Sequence, residues 1–370
     1  MWPDRRLIDL LQIEHPIILS PMAGFSTPQL VAAVCAAGGL GSISCATLPP
    51  DTVATTIQAL RSLTTKPINI NFFCHVQAKA DAAREQAWHV RLSPYYREFG
   101  VDPKLSPPRI DLPPFGDAMC KIVEEAKPEV VSFQFGLPDP ALIARIKAAG
   151  CRVMSSATTV EEAIWLEKHG ADIIIAQGYE AGGHRAMFLA ADLNAALTAQ
   201  PGTLALVPQI ADAVRVPVIA AGGIADGRGI AAAFALGAAG AQVGTAYLLC
   251  PEAGTPPLHR NALQKAGSDA AGWDATVLTN VFTGRPARAL ANRQARELGP
   301  IAEGLPDFPL PMGELAPLRA KAEQQGSSDF TPLWSGQALP RENAMPAEVL
   351  TRKLAAEAGE CFRHLNGGSN

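Results

Sequence analysis

Two apolar patterns alternate along the chain. Short runs that are apolar or β-branched at nearly every position recur at 16–22, 39–44, 67–71, 129–135, 151–157, 171–177, 216–222 and 241–247. Between them lie alanine-rich stretches whose apolar residues return every three or four positions, as in 26–39, 50–63, 139–150, 159–170 and 227–240. Several of these open on Ser, Thr or Asp and close on Gly, the signals that start and stop helices. A strand that is apolar on both faces has to be covered on both, so the runs predict a parallel sheet flanked by helices. Eight β-α units predict closure into a TIM (β/α)8 barrel, with an open doubly wound sheet as the alternative.

Two regions break the rhythm. Residues 72–114 carry a proline- and charge-containing insertion, predicted to pack as a lid or side lobe. Residues 251–370 pass from a helical segment through FTGRPARALANR and a proline-rich stretch to further helices, and are predicted to wrap back over the strand-end face. The barrel is then assigned to 1–71 and 115–250.

Composition narrows the class. A net charge of −4 is too small to favour a nucleic-acid partner. The first residues lack an uninterrupted apolar core and a small-residue cleavage site, and no run of 18 apolar residues occurs, so a cytoplasmic protein, monomeric or homodimeric, is expected. Seven scattered cysteines, Cys35, Cys45, Cys74, Cys120, Cys151, Cys250 and Cys361, read as reduced thiols. Neither C-x-x-C nor H-x-x-x-H spacing occurs, so no metal site is expected, and no G-x-S-x-G elbow supports an esterase.

In such a barrel chemistry belongs at the carboxyl ends of the strands. Those ends carry Met22-Ala23-Gly24, Asn71, Gln134, Gln177, Gly222-Gly223 and Gln242-Val243-Gly244-Thr245. The glycines of the seventh and eighth ends offer free backbone N–H groups where barrels commonly hold a phosphate, or else serve only as tight turns. Asn71, Gln134, Gln177 and Gln242 can donate and accept, which suits the alternating carbonyl and N–H edge of a flavin; the alternative is that they satisfy one another. The sixth run ends in EAGGHR, which sets Glu180, His184 and Arg185 around Gly182 and Gly183. Histidine can act as a base near neutrality, and a Gly-Gly loop would let His184 approach a substrate. Glu180 reads as a loop anchor to Arg185 or another arginine. His75, just past the third run, can line the pocket, while His15, His89, His169, His259 and His364 read as structural or surface residues.

The segments PMAGFSTPQLVAAVCAAGGLGSI, PININFFCH, AQGYEAGGHR, AAGGIADGRGIAAAFALGAAGAQVGTAYLLCPE and FTGRPARALAN, in this order, resemble the nitronate monooxygenases, formerly called 2-nitropropane dioxygenases. The resemblance implies non-covalent FMN in a TIM barrel and oxidation of alkyl nitronates, with nitroalkanes as further substrates, by O2 to a carbonyl compound and nitrite. It implies flavin contacts from Met22, Ala23, Gly24, Asn71, Gln177, Gly182, Gly222, Gly223, Gln242, Gly244 and Thr245, and a catalytic base at His184. His75, Gln134 and Thr283 are the expected pocket residues. Gln134 departs from a family motif that often has a histidine, and Ala186 and Ala289 replace frequent glycines. An enoyl-thioester or quinone reductase that consumes NAD(P)H is the second reading, and a flavin-free phosphate-binding barrel the third.

Overall fold

The computed structural model describes all residues except 1, 103, 107, 109, 269–274, 341–343, 366 and 368–370. Its main sheet has eight parallel strands: β1 (Ile17–Leu19), β2 (Gly41–Ser44), β3 (Ile68–Phe73), β4 (Val130–Gln134), β5 (Arg152–Ala157), β6 (Ile173–Gln177), β8 (Val218–Ala221) and β9 (Gly240–Val243). The intervening β7 (Gly183–His184) belongs to a second sheet. The order is β1-β9-β8-β6-β5-β4-β3-β2, and the ends meet where Leu40 N donates to Ile17 O at 2.9 Å and Leu19 N to Leu40 O at 3.0 Å. This is the expected TIM barrel. The run at 241–247 is strand only as far as Val243; Gly244 turns the chain into a 3₁₀ turn over Thr245–Leu249.

The helices are α1 (Arg6–Leu11), α2 (Pro28–Ala36), α3 (Pro50–Leu63), α4 (Ala82–Phe99), α5 (Asp117–Ala126), α6 (Pro140–Ala148), α7 (Val160–Lys168), α8 (Thr203–Ala213), α9 (Gly227–Ala235), α10 (Pro257–Ser268), α11 (Arg293–Leu298), α12 (Pro311–Gln324) and α13 (Ala347–Leu365). Thr27, Asp139, Thr159 and Asp226 cap α2, α6, α7 and α9 by accepting from first-turn N–H groups, so the predicted start signals act as caps. The helical layer is completed out of order. No long helix follows β9 directly; instead α13 packs between α9 and α2. It buries Ala347, Leu350, Thr351, Leu354 and Ala358, and Thr351 Oγ1 lies 2.8 Å from Tyr247 Oη.

Away from the barrel, α4 packs on α12. Trp88, Leu92, Tyr96 and Phe99 meet Leu298, Leu315, Leu318 and Phe330 there as a separate apolar cluster. The second sheet joins β7, β11 (Ala287–Leu290) and β10 (Thr276–Thr279), all antiparallel. FTGRPARALANR thus contains a strand, which the sequence pattern did not suggest.

The α9–α13 contact has no spare volume. A Cβ on Gly227 would lie 2.2 Å from Glu357 Cβ and 2.4 Å from Ala358 N. Gly227→Val is therefore expected to lower stability by about 1–3 kcal/mol, the usual cost of overpacking. Denaturant unfolding measures it, and an unchanged midpoint would mean that α13 does not pack here in solution.

Candidate active site

Parallel register brings the polar strand ends to one level. Asn71 lies opposite Ser44 and Ser132, Gln134 opposite Phe73, and Ala221 sits between Gln177 and Gln242. Over this rim lies β7, where His184 pairs with Ala287 and Gly183 with Arg288. The loop after β6 is therefore not the flexible Gly-Gly hinge the sequence suggested. It is pinned by a strand about a hundred residues later. Gly182 is required by close approach, since its Cβ would lie 2.5 Å from Gly336 N and 2.6 Å from Ser335 C.

His184 is held at both ends. Its carbonyl accepts from Gln134 Nε2 at 3.1 Å and Gln177 Nε2 at 3.0 Å, and Gln177 Oε1 accepts from Ala186 N at 2.9 Å. Its Nε2 lies 2.9 Å from Thr283 Oγ1. The rings of Phe73, Phe135, Phe308 and Trp334 surround the imidazole at centroid distances of 6.4, 5.9, 5.4 and 5.3 Å. Phe135 adopts φ 72°, a left-handed backbone that a bulky aromatic rarely takes, so strain accompanies its place in the ring cage. Burial chiefly, then Arg285 and His75, lowers the His184 pKa to about 3. This corrects the expectation of a base titrating near neutrality: the imidazole is a weak base that stays neutral in mild acid.

His75 is 4% exposed, beside Phe308 at 5.0 Å. Its Nε2 lies 3.0 Å from Leu112 O, and a carbonyl can only accept, so Nε2 carries the proton. Nδ1 is then a buried lone pair with no partner among the described residues. Burial also lowers this pKa. Thr283 is brought against His184, while Gln134 and Gln177 each donate one amide N–H to its backbone carbonyl.

On the other side of the mouth, Gly222 and Gly223 have φ +116° and +69° and lie beside Ala181 and Glu180. Thr245 Oγ1 accepts from Gly336 N at 2.9 Å, and Gln337 N donates to Glu180 O at 3.0 Å. The glycine cup thus gains a wall from the C-terminal extension. Glu180 does not pair with Arg185, contrary to expectation. Its carboxylate accepts from Thr203 N and Oγ1, both at 2.8 Å, and closes the start of α8. Arg185 is tied instead to the carbonyls of Gln177 and Gly178 and to Gln200 Oε1.

The remaining predicted contacts are scattered around the same rim. Asn71 Nδ2 donates to Ser132 Oγ at 3.1 Å, Met22 N to Ser26 Oγ at 3.0 Å, and Gly24 has φ +79° with open space at its Cβ position. Gln242 Oε1 is buried without a partner among the described residues. A buried unsatisfied acceptor beside a glycine cup fits a bound group that brings N–H donors and an anionic end, as a flavin phosphate does. Among the described residues no group of three or more His, Cys, Asp or Glu can hold a metal ion, and no helix is long and apolar enough to cross a membrane. Phe308, Trp334, Gly336 and Arg285 escaped sequence reasoning; only Arg285 lay in a motif that had drawn notice.

The whole arrangement has counterparts. The family model described as nitronate monooxygenase matches residues 4–357. The chain is 43% identical to a nitronate monooxygenase of Pseudomonas aeruginosa over 95% of this chain and 98% of that one. It is 42% identical to one of Paraburkholderia phytofirmans over 99% and 98%. A solved structure of nitroalkane oxidase from Streptomyces ansochromogenes is similar at TM-score 0.87 and 38% identity, covering 97% of this chain and 99% of that one. FabK from Thermotoga maritima is similar at TM-score 0.73 and 31% identity, covering 99% of both. With these matches running nearly end to end through the strand ends, β7 and the FTGRPAR segment, the chain belongs to the nitronate monooxygenase family.

Proposed function

We propose that the protein oxidises alkyl nitronates with O2, using non-covalent FMN, to a carbonyl compound and nitrite. The observation that carries this reading is His184, fixed on β7 in an aromatic cage at the same rim as the glycine cup and the unpartnered Gln242 Oε1. Gly222, Gly223, Gly244 and Thr245 would hold the phosphate; Asn71, Gln177 and Gln242 would meet the ring edge, with Met22, Ala23, Gly24 and Gly182 along the cofactor. When bound, the flavin supplies the electron acceptor that the side chains of this site lack. The chain's own part is to position the substrate, exclude water by the four rings and move one proton. A neutral nitroalkane must lose a carbon proton to become a nitronate, and His184, free of charge, can accept it. A base lowered to about 3 is poorly matched to that task. Nitronates, which arrive already deprotonated, bypass that step. The FabK likeness supports an NAD(P)H-dependent reductase as the second reading, and NADH consumption without nitronate turnover would select it.

Gly223→Asp tests the cup. Its φ of +69° disfavours any side chain, and a carboxylate there would repel a phosphate. The parent is expected to purify yellow and release FMN on denaturation, and the variant to lose the colour. A variant with full flavin content would move the phosphate elsewhere.

His184→Asn should slow neutral nitroalkanes by roughly 10²- to 10⁴-fold, as loss of a general base does, and slow pre-formed nitronates far less. Equal losses with flavin still bound would assign His184 to binding instead. For the parent, the nitroalkane rate should be insensitive to this group above about pH 5 and fall toward pH 3, because only neutral imidazole accepts the proton. Stability follows the same sign. An unfolded histidine takes up its proton near about pH 6.5, before the folded one, so the contribution of His184 is complete above that pH and is lost as pH falls toward 3. Urea midpoints across this window should drop more steeply in the parent than in His184→Asn.

A further inference from the structure

The FTGRPAR motif contains two arginines that the base, the amides and the cup leave without a role. Arg285 is 9% exposed, and its guanidinium lies over the Phe135 ring with Cζ 3.9 Å from the centroid. That ring in turn meets His184 edge-on. One terminal nitrogen of Arg285 donates to Met187 O, and Nε has no partner among the described residues. Arg288, 3% exposed, donates to Tyr179 O and Thr276 Oγ1, and Arg185, 1% exposed, to carbonyl and amide oxygens. The nearby carboxylates are Glu162 and Glu180. Both are spent on neutral donors: Glu162 accepts from Thr158 N and Oγ1 and from Phe188 N, and Glu180 from Thr203.

Three guanidiniums therefore stand against two carboxylates, and the hydrogen bonds they make go to oxygens of neutral groups, with Nε of Arg185 and of Arg285 left without a partner among the described residues. Burying a cation without a contact carboxylate is costly, and a fold that does so beside its proposed base holds a fixed positive field there. His184, lowered to about 3 by burial chiefly and then by Arg285, adds no charge of its own in mild acid or above, and burial lowers His75 in the same direction. A nitronate carries one negative charge shared over two oxygens in a plane, whereas the nitroalkane of the same skeleton is neutral.

We propose that Arg285 is a specificity-determining residue: its charge, unpartnered by a carboxylate and stacked on Phe135 beside His184, selects planar anions of the nitronate type over neutral nitro compounds. The inference rests on the proposed nitronate reading for its substrate, but anion binding can be measured without turnover. Nitrate, a planar inert anion, is the probe. Arg285→Met keeps length and removes charge; Arg285→Lys restores charge. Flavin-loaded parent and variants, matched for melting temperature and flavin content, are titrated with sodium nitrate by calorimetry at fixed ionic strength. The KM values for a nitronate and for its parent nitroalkane are then compared. Arg285→Met should weaken nitrate binding and raise the nitronate KM by roughly tenfold or more, the size of one charge contact in a partly buried site, and leave the nitroalkane KM within about threefold. Arg285→Lys should recover most of the loss. Unchanged nitrate affinity in Arg285→Met, or equal losses on both substrates, overturns the proposal. Should Arg285→Met fail to fold, the parent decides: no measurable nitrate binding refutes an anion-selective site, and binding that competes with nitronate supports it. If the parent oxidises no nitronate, the nitrate titrations of parent and variants still judge Arg285 by themselves.

Discussion

Backbone pairing over two residues governs this site. Gly183 and His184 form an edge strand against Arg288 and Ala287, and Arg185 N adds a bond to Pro286 O at 2.9 Å. Without that pairing the segment after β6 would be a glycine loop over a barrel mouth. With it, the imidazole has one position, the carbonyl beneath it faces two amides, and Thr283 arrives on the same strand connection that carries Arg285. The closeness of Gly182 to Ser335 and Gly336 belongs to the same constraint, because only a bare Cα lets the third segment in. A catalytic group held by main chain loses little entropy on meeting its substrate, which is the advantage of rigid support over a mobile loop.

The electrostatics of the mouth follow from its aromatic lining. Four rings around the half-buried His184 limit the water that would stabilise an imidazolium, and they strengthen the polar contacts beside it. Gln134 illustrates the point. It cannot titrate, but it satisfies a buried carbonyl that would otherwise be left with only one amide. In place of a titratable histidine this chain has an amide that holds the His184 backbone.

The barrel was legible because its signals are local. Eight apolar runs, capped helices and glycine ends depend on neighbours in sequence, and each maps onto an element of the structure. The line of Asn71, Gln134, Gln177 and Gln242 followed from the rule that strand ends face one rim. What escaped was non-local. A two-residue strand has no periodicity to detect, so β7 read as a hinge. Phe308 and Trp334 come from a proline-rich stretch whose pattern says nothing of where it docks, and Glu180, expected to anchor to Arg185 or another arginine, accepts from the neutral Thr203 instead. The lowered pKa of His184 was hidden for a related reason: residue type sets an ordinary pKa, and burial beside rings from four distant segments shifts it down.

The position of α13 bears on how the protein is made. Seven barrel strands and their helices can associate as the chain is synthesised, but the groove between α2 and α9 is filled only by residues beyond Ala347. Until those residues are available, apolar flanks of the first and seventh βα units stay open to solvent. That is a long-range closure, entropically expensive and late. A chain without α13 is thus a barrel with an open seam, and exposed apolar surface of that kind is what makes incomplete folds prone to association.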